Sequence, residues 1–344
     1  MNDALHGSRA TAPTSGGLHP AIEFIGVDKR FPGRGKNPEV IAARNVTLAI
    51  QPGEVVSLIG PSGCGKSTLL NMGSGLAKAS AGIVKVNGEV VTGPNKHVAF
   101  MLQKDLLMPW RTIAQNVEFG LELRGVKASE RAAISTQLLA QCHLKGFGNS
   151  YPHQLSGGMR QRVMIAMALS CKPSLLIADE PTTALDVTIQ AQILQLIRSL
   201  QNDMNMGVVF ITHDMGVVAE VADRVLVMYR GEKVEEGGSE ALFAAPKHVY
   251  TRALLKAVPR LGAMQGSDLP LKFDLLLTDE QAQTASAQPQ DTVQHNAQPI
   301  LRVKNLVTRF DIRSGLLNRV TRRVHAVEQV SFDLHPGETL ALVG

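Results

Sequence analysis

The sequence predicts an α/β fold built on a mostly parallel β-sheet, and two patterns support this prediction. Short apolar or β-branched runs, each with the length of a buried strand, alternate with amphipathic stretches of helical period. The strand-like runs are residues 55–59, 175–178, 208–211 and 225–228. Between about residues 109 and 148 the apolar spacing becomes helical, as in residues 130–142, which predicts a helical insert in the sheet domain.

The composition narrows the possible functions. The chain has 344 residues, and 35 basic against 30 acidic residues give a net charge of +5. This mild and evenly spread excess fits a protein that handles an anionic nucleotide or lies near an anionic membrane. It equally fits a mildly basic solvated surface, and it argues against nucleic-acid binding. The three cysteines, Cys64, Cys142 and Cys171, form no CxxC pair, so a reducing cytosol fits better than a disulfide framework or a metal site.

Neither a signal peptide nor a membrane span is predicted. Residues 1–20 are rich in Ser, Thr, Gly and Ala and lack an apolar core, so we expect a disordered leader. No apolar run approaches the ~20 residues that a membrane-spanning helix needs. If the protein serves transport, another subunit is expected to form the pore.

An internal repeat organises the chain. Residues 22–60 contain Ile-Glu-Phe, Lys-Arg-Phe, Pro-Gly-Glu and Ile-Gly in order, and residues 301–344 contain Leu-Arg-Val, Thr-Arg-Phe, Pro-Gly-Glu and Val-Gly. Between them, residues 261–300 have little to bury and are predicted to be a linker. We therefore expect a complete domain at 21–260, with a helical insert at about 104–165 and a tail at about 236–260. Residues 301–344 are expected to be the truncated, loosely attached start of a second such domain.

The first strand-like run leads into a P-loop motif, GxxxxGK[ST]. Its glycines allow consecutive backbone N–H groups to face phosphate oxygens, and the helix that follows adds partial positive charge at its N-terminus. Lys66 would reach the β and γ phosphates, and the Ser67 hydroxyl would bind Mg²⁺. A chance glycine-rich turn is the alternative, which the strand before and the helix after disfavour. The predicted nucleotide-binding residues here are Gly60, Pro61, Ser62, Gly63, Cys64, Gly65, Lys66, Ser67 and Thr68.

A pair of carboxylates follows the second strand-like run. Asp179 would lie at the carboxyl edge of the sheet, where ligands of open α/β sheets bind, and would hold Mg²⁺. Glu180, the next residue, would act as the general base that polarises the attacking water. An acidic residue that simply ends a strand is the alternative, and the P-loop makes it the weaker one.

A second helix-N-terminal anion site is predicted at Leu155, Ser156, Gly157, Gly158 and Met159. One nucleotide does not need two such sites, so this one is expected to close on the γ-phosphate held by a partner domain. Together with the P-loop and the Asp-Glu strand, this segment resembles the ATP-binding subunits of ABC transporters, in which it is the signature loop. Met159 stands where many members have Gln. The resemblance covers residues 22–260 and recurs in 301–344.

The resemblance implies further site residues. Phe31 lies where an aromatic ring stacks on adenine, with a core phenylalanine as the alternative. Gln103 matches a glutamine that touches Mg²⁺ and senses the membrane subunit, and His213 matches a histidine that contacts the γ-phosphate. The loop that crosses to the partner, the D-loop, corresponds to Ala184, Leu185 and Asp186. The implied catalytic residues are thus Glu180, His213, Lys66 and Gln103, and the implied Mg²⁺ ligands are Ser67, Gln103 and Asp179.

The subfamily signals differ between two parts of the chain. Residues 21–148 resemble the nitrate, sulfonate and taurine importers, as in the segment Leu-Leu-Met-Pro-Trp-Arg-Thr-Ile at 106–113. From about Tyr151 onward the chain resembles the tandem-domain dipeptide, oligopeptide and glutathione importers, whose tail commonly reads His-Pro-Tyr where this chain has His248-Val249-Tyr250. We therefore predict a mosaic joined near residues 151–162.

The implied protein is a P-loop ABC ATPase domain with a mostly parallel sheet core, an antiparallel β subdomain and a helical subdomain. It would bind ATP and Mg²⁺ at the cytoplasmic face of the membrane and power uptake of a small solute through separate permease subunits. A second ATPase domain would complete its sites, and an extracytoplasmic solute-binding protein would act indirectly. The alternatives are a soluble ABC ATPase of DNA repair or translation, which the absence of heptads and basic runs disfavours, and a truncated product without transport activity.

Overall fold

The computed structural model describes residues 19–33, 38–183, 185–258, 291–294, 296–314 and 319–342. The chain forms two compact units, Met1–Val258 and Pro259–Gly344. The predicted leader, apart from residues 19 and 20, and most of the predicted linker lie outside the described ranges, as does Ala184.

The first unit contains two sheets. Their strands are β1 (Ile22–Phe31), β2 (Val40–Ile50), β3 (Val55–Ile59), β4 (Ala81–Val86), β5 (Glu89–Val90), β6 (Val98–Met101), β7 (Leu175–Asp179), β8 (Gly207–Ile211), β9 (Arg224–Tyr229) and β10 (Glu232–Gly238). A six-stranded sheet has the order β10-β9-β3-β8-β7-β6, and all of its pairings are parallel except β9 with β10. A four-stranded antiparallel sheet has the order β2-β1-β4-β5. The mostly parallel core, the antiparallel subdomain and all four predicted strands are confirmed.

Both faces of the six-stranded sheet are buried, which explains why its strands are apolar throughout rather than alternating. In β8, Val208 and Phe210 pack with the helices on one face, whereas Val209 and Ile211 pack against the antiparallel sheet on the other. Burying an apolar side chain of this size stabilises the fold by about 1.5–3 kcal/mol.

The helices of the first unit are α1 (Lys66–Gly73), α2 (Ile113–Leu123), α3 (Ala128–Gln141), α4 (Gly157–Leu169), α5 (Val187–Met204), α6 (Met215–Val221), α7 (Ser239–Ala244) and α8 (Val249–Lys256). Within the described ranges, no helix combines the length and the apolar character that crossing a bilayer requires.

Helices α2 and α3 form the predicted helical insert. Thr112 begins α2 with a capping box, because its hydroxyl accepts the N–H of Gln115 while the Gln115 side chain accepts the N–H of Thr112. At the other end, the Arg124 guanidinium donates to the carbonyl oxygens of Lys96 at 2.8 Å and Cys171 at 3.2 Å. Arg124 therefore ties the end of α2 to the loops that flank the sheet.

The tail is anchored through Glu235 on β10. Its carboxylate accepts the backbone N–H groups of Lys247 at 2.7 Å and His248 at 2.9 Å, just before α8 begins. His248 is the N-cap of α8, and its Nδ1 accepts the N–H of Tyr250 at 3.2 Å. A histidine thus does the capping that Ser, Thr or Asp usually does.

Replacing Val249 by proline is expected to stabilise the protein by about 0.4–1 kcal/mol, because proline reduces the conformational entropy of the unfolded chain. Val249 is the first residue of α8, where proline is favoured, and its side chain is 47% exposed. His248 before it is extended, with φ −77° and ψ 141°, which is the conformation that a following proline requires. Urea unfolding measures the change, with Val249→Ala as the control. A lower unfolding free energy for Val249→Pro would contradict the expectation.

The described part of the second unit is a hairpin of β11 (Leu301–Ser314) and β12 (Arg319–Leu334). Its register repeats that of β1 and β2: Leu301 pairs with Leu334 as Ile22 pairs with Ile50, and Phe310 pairs with Val324 as Phe31 pairs with Val40. Three register shifts fall at matching positions along both hairpins, and the second hairpin has a further one between Ile312 and Arg313.

The turn after each hairpin repeats as well. Glu54 accepts the backbone N–H of Gln51, and Glu338 accepts that of His335, both at 2.8 Å. The sequence repeat therefore corresponds to one local structure used twice. That residues 301–344 are the start of a second ATPase domain stays a prediction.

Candidate functional site

The parallel strands of the six-stranded sheet end at one edge, and the predicted site residues follow them. The P-loop follows β3, Asp179 ends β7 with Glu180 after it, and His213 lies two residues beyond β8. Gln103 lies two residues beyond β6. Because Leu58 and Asp179 both pair with Ile211 of β8, the ends of β3, β8 and β7 are aligned. The sheet thus brings these residues to the edge where α/β proteins bind ligands.

Three glycines shape the P-loop, with φ of +150° at Gly60, +80° at Gly63 and +105° at Gly65. A Cβ on Gly60 would lie 2.2 Å from the Met228 carbonyl oxygen, and one on Gly65 would lie 2.0 Å from that of Ala42. The loop is therefore pressed against two strands at positions that only glycine fits. The N–H groups of this loop and of the start of α1 at Lys66 are those predicted to bind phosphate.

The Lys66 ammonium lies within this loop. Its Nζ donates to the carbonyl oxygens of Gly60 at 2.7 Å and Pro61 at 3.0 Å, and it lies 3.6 Å from the Cys64 sulfur. The flexible side chain is thus already held over the loop that is predicted to cradle phosphates. Ser67 is exposed and Thr68 is half-buried on the first turn of α1.

Glu180 is held by side chains from three segments. Its Oε2 accepts hydrogen bonds from Gln103 Nε2 at 2.8 Å and from the Thr183 hydroxyl at 2.9 Å, and its Oε1 lies 3.2 Å from His213 Nδ1. The backbone of Glu180 is left-handed, with φ of +49°, and its N–H donates to the Ile211 carbonyl. Such a conformation costs a non-glycine residue about 1–3 kcal/mol and is concentrated at functional sites.

The carboxyl of Asp179 lies beside a second carboxylate in a half-buried position. Burial raises the pKa of its carboxyl above the ordinary value, the adjacent Glu180 raises it further, and Lys66 opposes both effects. Two neighbouring carboxylates at a half-buried strand end are electrostatically unfavourable unless positive charge is near. The oxygen donors of Asp179 and Ser67 are the kind that Mg²⁺ prefers.

The predicted signature loop begins α4. Ser156 is the N-cap, with its hydroxyl accepting the N–H of Met159 at 3.4 Å. Ser156 and Gly157 are exposed at this helix end, where the first N–H groups of a helix have no carbonyl partner within it. Gly158 packs on α5, where a Cβ would lie 2.6 Å from Ile189. Leu155 is buried in the core and fixes the loop to the domain.

Phe31 ends β1 with its ring 45% exposed, which contradicts the alternative of a core phenylalanine. The Lys29 ammonium lies 5.2 Å from the ring centroid. An exposed ring face is what stacking on a base requires.

Comparison with known proteins places this geometry in a family. The ABC transporter family model matches residues 43–183. The dimeric ATP-binding cassette MJ0796, solved with ADP and Pi, is 33% identical, and its alignment covers 63% of this chain and 98% of that one with a TM-score of 0.57. This chain belongs to the ABC transporter cassette family. A second structure of MJ0796, described as a bacterial ABC transporter cassette, is 34% identical with the same coverage and TM-score.

Curated relatives of the cassette are glutathione import ATP-binding proteins named GsiA. Those of Shigella dysenteriae serotype 1 (strain Sd197) and Escherichia coli (strain K12) are each 51% identical over 331 residues, covering 89% of this chain and 53% of theirs. The chain thus spans about half the length of the curated relatives it matches. Residues 234–273 match the oligopeptide/dipeptide transporter C-terminal region, which includes the predicted tail.

These alignments bear on the predicted mosaic. At 89% coverage, the GsiA match necessarily includes residues on both sides of Tyr151. One kind of importer thus provides relatives for both parts of the cassette, whereas the resemblance of residues 21–148 to nitrate, sulfonate and taurine importers stays a prediction.

The structure adds contacts that the sequence reading missed. Thr183 holds Glu180 and was not predicted. The two residues are the ends of a four-residue turn, in which the Thr183 N–H donates to the Glu180 carbonyl at 3.2 Å. Of the D-loop, Ala184 lies outside the described residues, and Leu185 donates its N–H to the Thr182 carbonyl. Asp186 caps α5 by accepting the N–H of Ile189 at 2.9 Å, a structural task beside its predicted one.

Proposed function

We propose that this chain binds and hydrolyses ATP as the cassette subunit of an ABC importer. One observation carries the proposal: Glu180 is held by Gln103, Thr183 and His213 at the sheet edge where the P-loop begins. A water-activating carboxylate, fixed in orientation and next to a phosphate cradle, is what phosphoryl transfer to water needs.

Binding would use the P-loop and the start of α1. The N–H groups of the loop and the helix N-terminus would hold the phosphates, while Lys66 would exchange the carbonyls of Gly60 and Pro61 for phosphate oxygens. Phe31 would stack on the adenine. Asp179, Ser67 and Gln103 would hold Mg²⁺, which supplies charge neutralisation on the phosphates when bound.

Hydrolysis would use Glu180 to orient and polarise the water. Gln103 and Thr183 donate to Oε2, and His213 Nδ1 lies beside Oε1, so Oε1 would become the accepting oxygen when the His213 ring turns away. His213 is exposed, so its ring has room to turn toward the γ-phosphate as proposed. The residues contribute positioning and electrostatic stabilisation rather than covalent chemistry.

A complete site would need a second cassette. The N-terminus of α4, where Ser156 and Gly157 are exposed, is proposed to close over the ATP of another cassette, from a second copy or a paralogue. The similar cassette MJ0796 is dimeric in its ADP- and Pi-bound structure, which supports this arrangement. ATP would do work by favouring the closed pair over the open one.

The transport role is proposed from the relatives and from an apolar surface on the helical insert. Leu106, Trp110 and Leu123 are 58%, 74% and 73% exposed, and Leu106 borders a groove of about 270 Å³ that also includes Phe119 and Met164. An exposed apolar side chain beside an apolar groove, as at Leu106, is typical of interaction sites. We propose that permease subunits dock here, at the cytoplasmic face of the membrane, and that the solute is glutathione or a short peptide, as the names of the relatives suggest.

Inverted inner-membrane vesicles of the source organism are expected to stimulate the ATPase activity of the purified chain, whereas DNA and RNA are not. Leu106→Ser should reduce the stimulation several-fold without changing the activity of the chain alone, because the residue lies on the proposed docking surface. Val90→Ser is the matched control, since Val90 is 57% exposed on the antiparallel sheet. Stimulation by nucleic acid, or equal loss in both variants, would contradict the importer assignment.

A further inference from the structure

The P-loop packs against the end of β9 and the turn that follows it. The Gly231 N–H donates to the Cys64 carbonyl of the P-loop at 3.1 Å, and the Gly231 carbonyl accepts the N–H of Arg44 at 2.8 Å. The missing Cβ of Gly60 allows the loop to rest on the Met228 carbonyl. Residues 228–231 therefore form the wall against which the nucleotide cradle is set.

The tail contacts that wall through one aromatic pair. Tyr250 of α8 stacks on Tyr229, which lies between Met228 and the turn, with ring centroids 4.4 Å apart and an interplanar angle of 25°. The Arg230 guanidinium lies 5.2 Å from the same Tyr229 ring. Burial raises the pKa of Tyr250 to about 12, with smaller contributions from Cys64 and Tyr229.

We infer that Tyr250 is a positioning residue of the nucleotide site: through Tyr229 and the turn at residues 230–231, the tail holds the P-loop in its phosphate-binding shape. The expected effect on ATPase kinetics rests on the proposed function. The expected effect on the shape of the P-loop rests on these contacts alone. In this inference the tail supports the nucleotide site. His248 caps α8, and Tyr250 lies on the first turn of that helix.

Other residues of α8 pack through apolar side chains and take no part in the aromatic stack. Leu254 and Leu255 are partly buried against the cluster around Ile59, Val225 and Val227, so they stabilise the tail through apolar burial. Substituting one of them removes apolar burial from the tail but leaves both tyrosines of the stack unchanged. Leu254→Ala therefore separates a positioning role of Tyr250 from a general loosening of α8.

Cysteine labelling tests the inference without relying on activity. Cys64 is 2% exposed and Cys142 is fully buried in the helical part of the domain, so both react only when the structure opens locally. An aromatic pair is worth about 0.5–1.5 kcal/mol, so Tyr250→Ala should speed N-ethylmaleimide labelling of Cys64, mapped by mass spectrometry, about two- to tenfold. Cys142 should be unchanged, and Tyr250→Phe and Leu254→Ala should label Cys64 at the wild-type rate.

Kinetics test the functional consequence. Tyr250→Ala should raise the KM for ATP about two- to tenfold with kcat within about twofold, because the stack supports the cradle and not Glu180. Tyr250→Phe should restore the wild-type KM. Unchanged Cys64 labelling in Tyr250→Ala, or equal acceleration in Leu254→Ala, would overturn the inference. If the wild type does not hydrolyse ATP, the proposed function fails, and the labelling result still decides the positioning role.

Discussion

Replacing Glu180 by glutamine is expected to slow ATP hydrolysis by about 10²- to 10⁴-fold, the range that a positioned general base contributes. Glutamine keeps the size of the side chain and can still contact Gln103 and Thr183, but its amide does not accept a proton from water. Because Glu180 is not part of the phosphate cradle, ATP binding should remain. We therefore expect kcat to fall while the affinity for ATP, measured by direct binding, stays at the wild-type value.

Glu220→Gln is the matched control for Glu180→Gln. Glu220 is exposed on α6, so the same chemical change there should leave kcat at the wild-type value. The melting temperature of both variants should stay close to that of the wild type, since neither change adds volume. Near-normal hydrolysis by Glu180→Gln would show that Glu180 is not the general base. His213 would then be the next residue to test in that role.

Sequence patterns alone predict which residues of the site lie at the edge of the sheet, because strands and the motifs after them have local sequence signals. A buried parallel strand is an uninterrupted apolar run, and the polar residue that follows it must lie at the carboxyl edge. These two patterns predict that the P-loop, Asp179 and Glu180 lie at one edge of the sheet, where the structure has them. Gln103 and His213 needed the family resemblance, because a lone Gln or His after a strand has no specific pattern.

The remaining features depend on contacts between distant segments. The left-handed backbone of Glu180 is set by its N–H bond to Ile211 on another strand, and the close approach of Gly65 to Ala42 joins the P-loop to β2. Neither has a local sequence signal. The stack of Tyr229 on Tyr250 is likewise a pairing of two ordinary aromatic residues that only the tertiary structure brings together.

Replacing Gly65 by alanine is expected to lower the free energy of unfolding by about 2–5 kcal/mol. About 1–2 kcal/mol comes from an L-residue with φ of +105°, and about 1–3 kcal/mol comes from moving the P-loop or β2 to relieve a Cβ 2.0 Å from the Ala42 carbonyl oxygen. The same movement shifts the N–H groups of the cradle, so kcat/KM for ATP should fall by about 10²-fold or more.

Gly63→Ala separates backbone strain from steric overlap within the same loop. Gly63 has φ of +80°, and no atom lies within 4 Å of a Cβ built on it, so alanine there costs only the strain of about 1–2 kcal/mol. Urea unfolding should therefore rank the proteins as wild type, Gly63→Ala and Gly65→Ala in decreasing stability. Equal losses of unfolding free energy in the two variants would mean that backbone strain alone causes the destabilisation. The contact of Gly65 with Ala42 would then not hold the P-loop against β2.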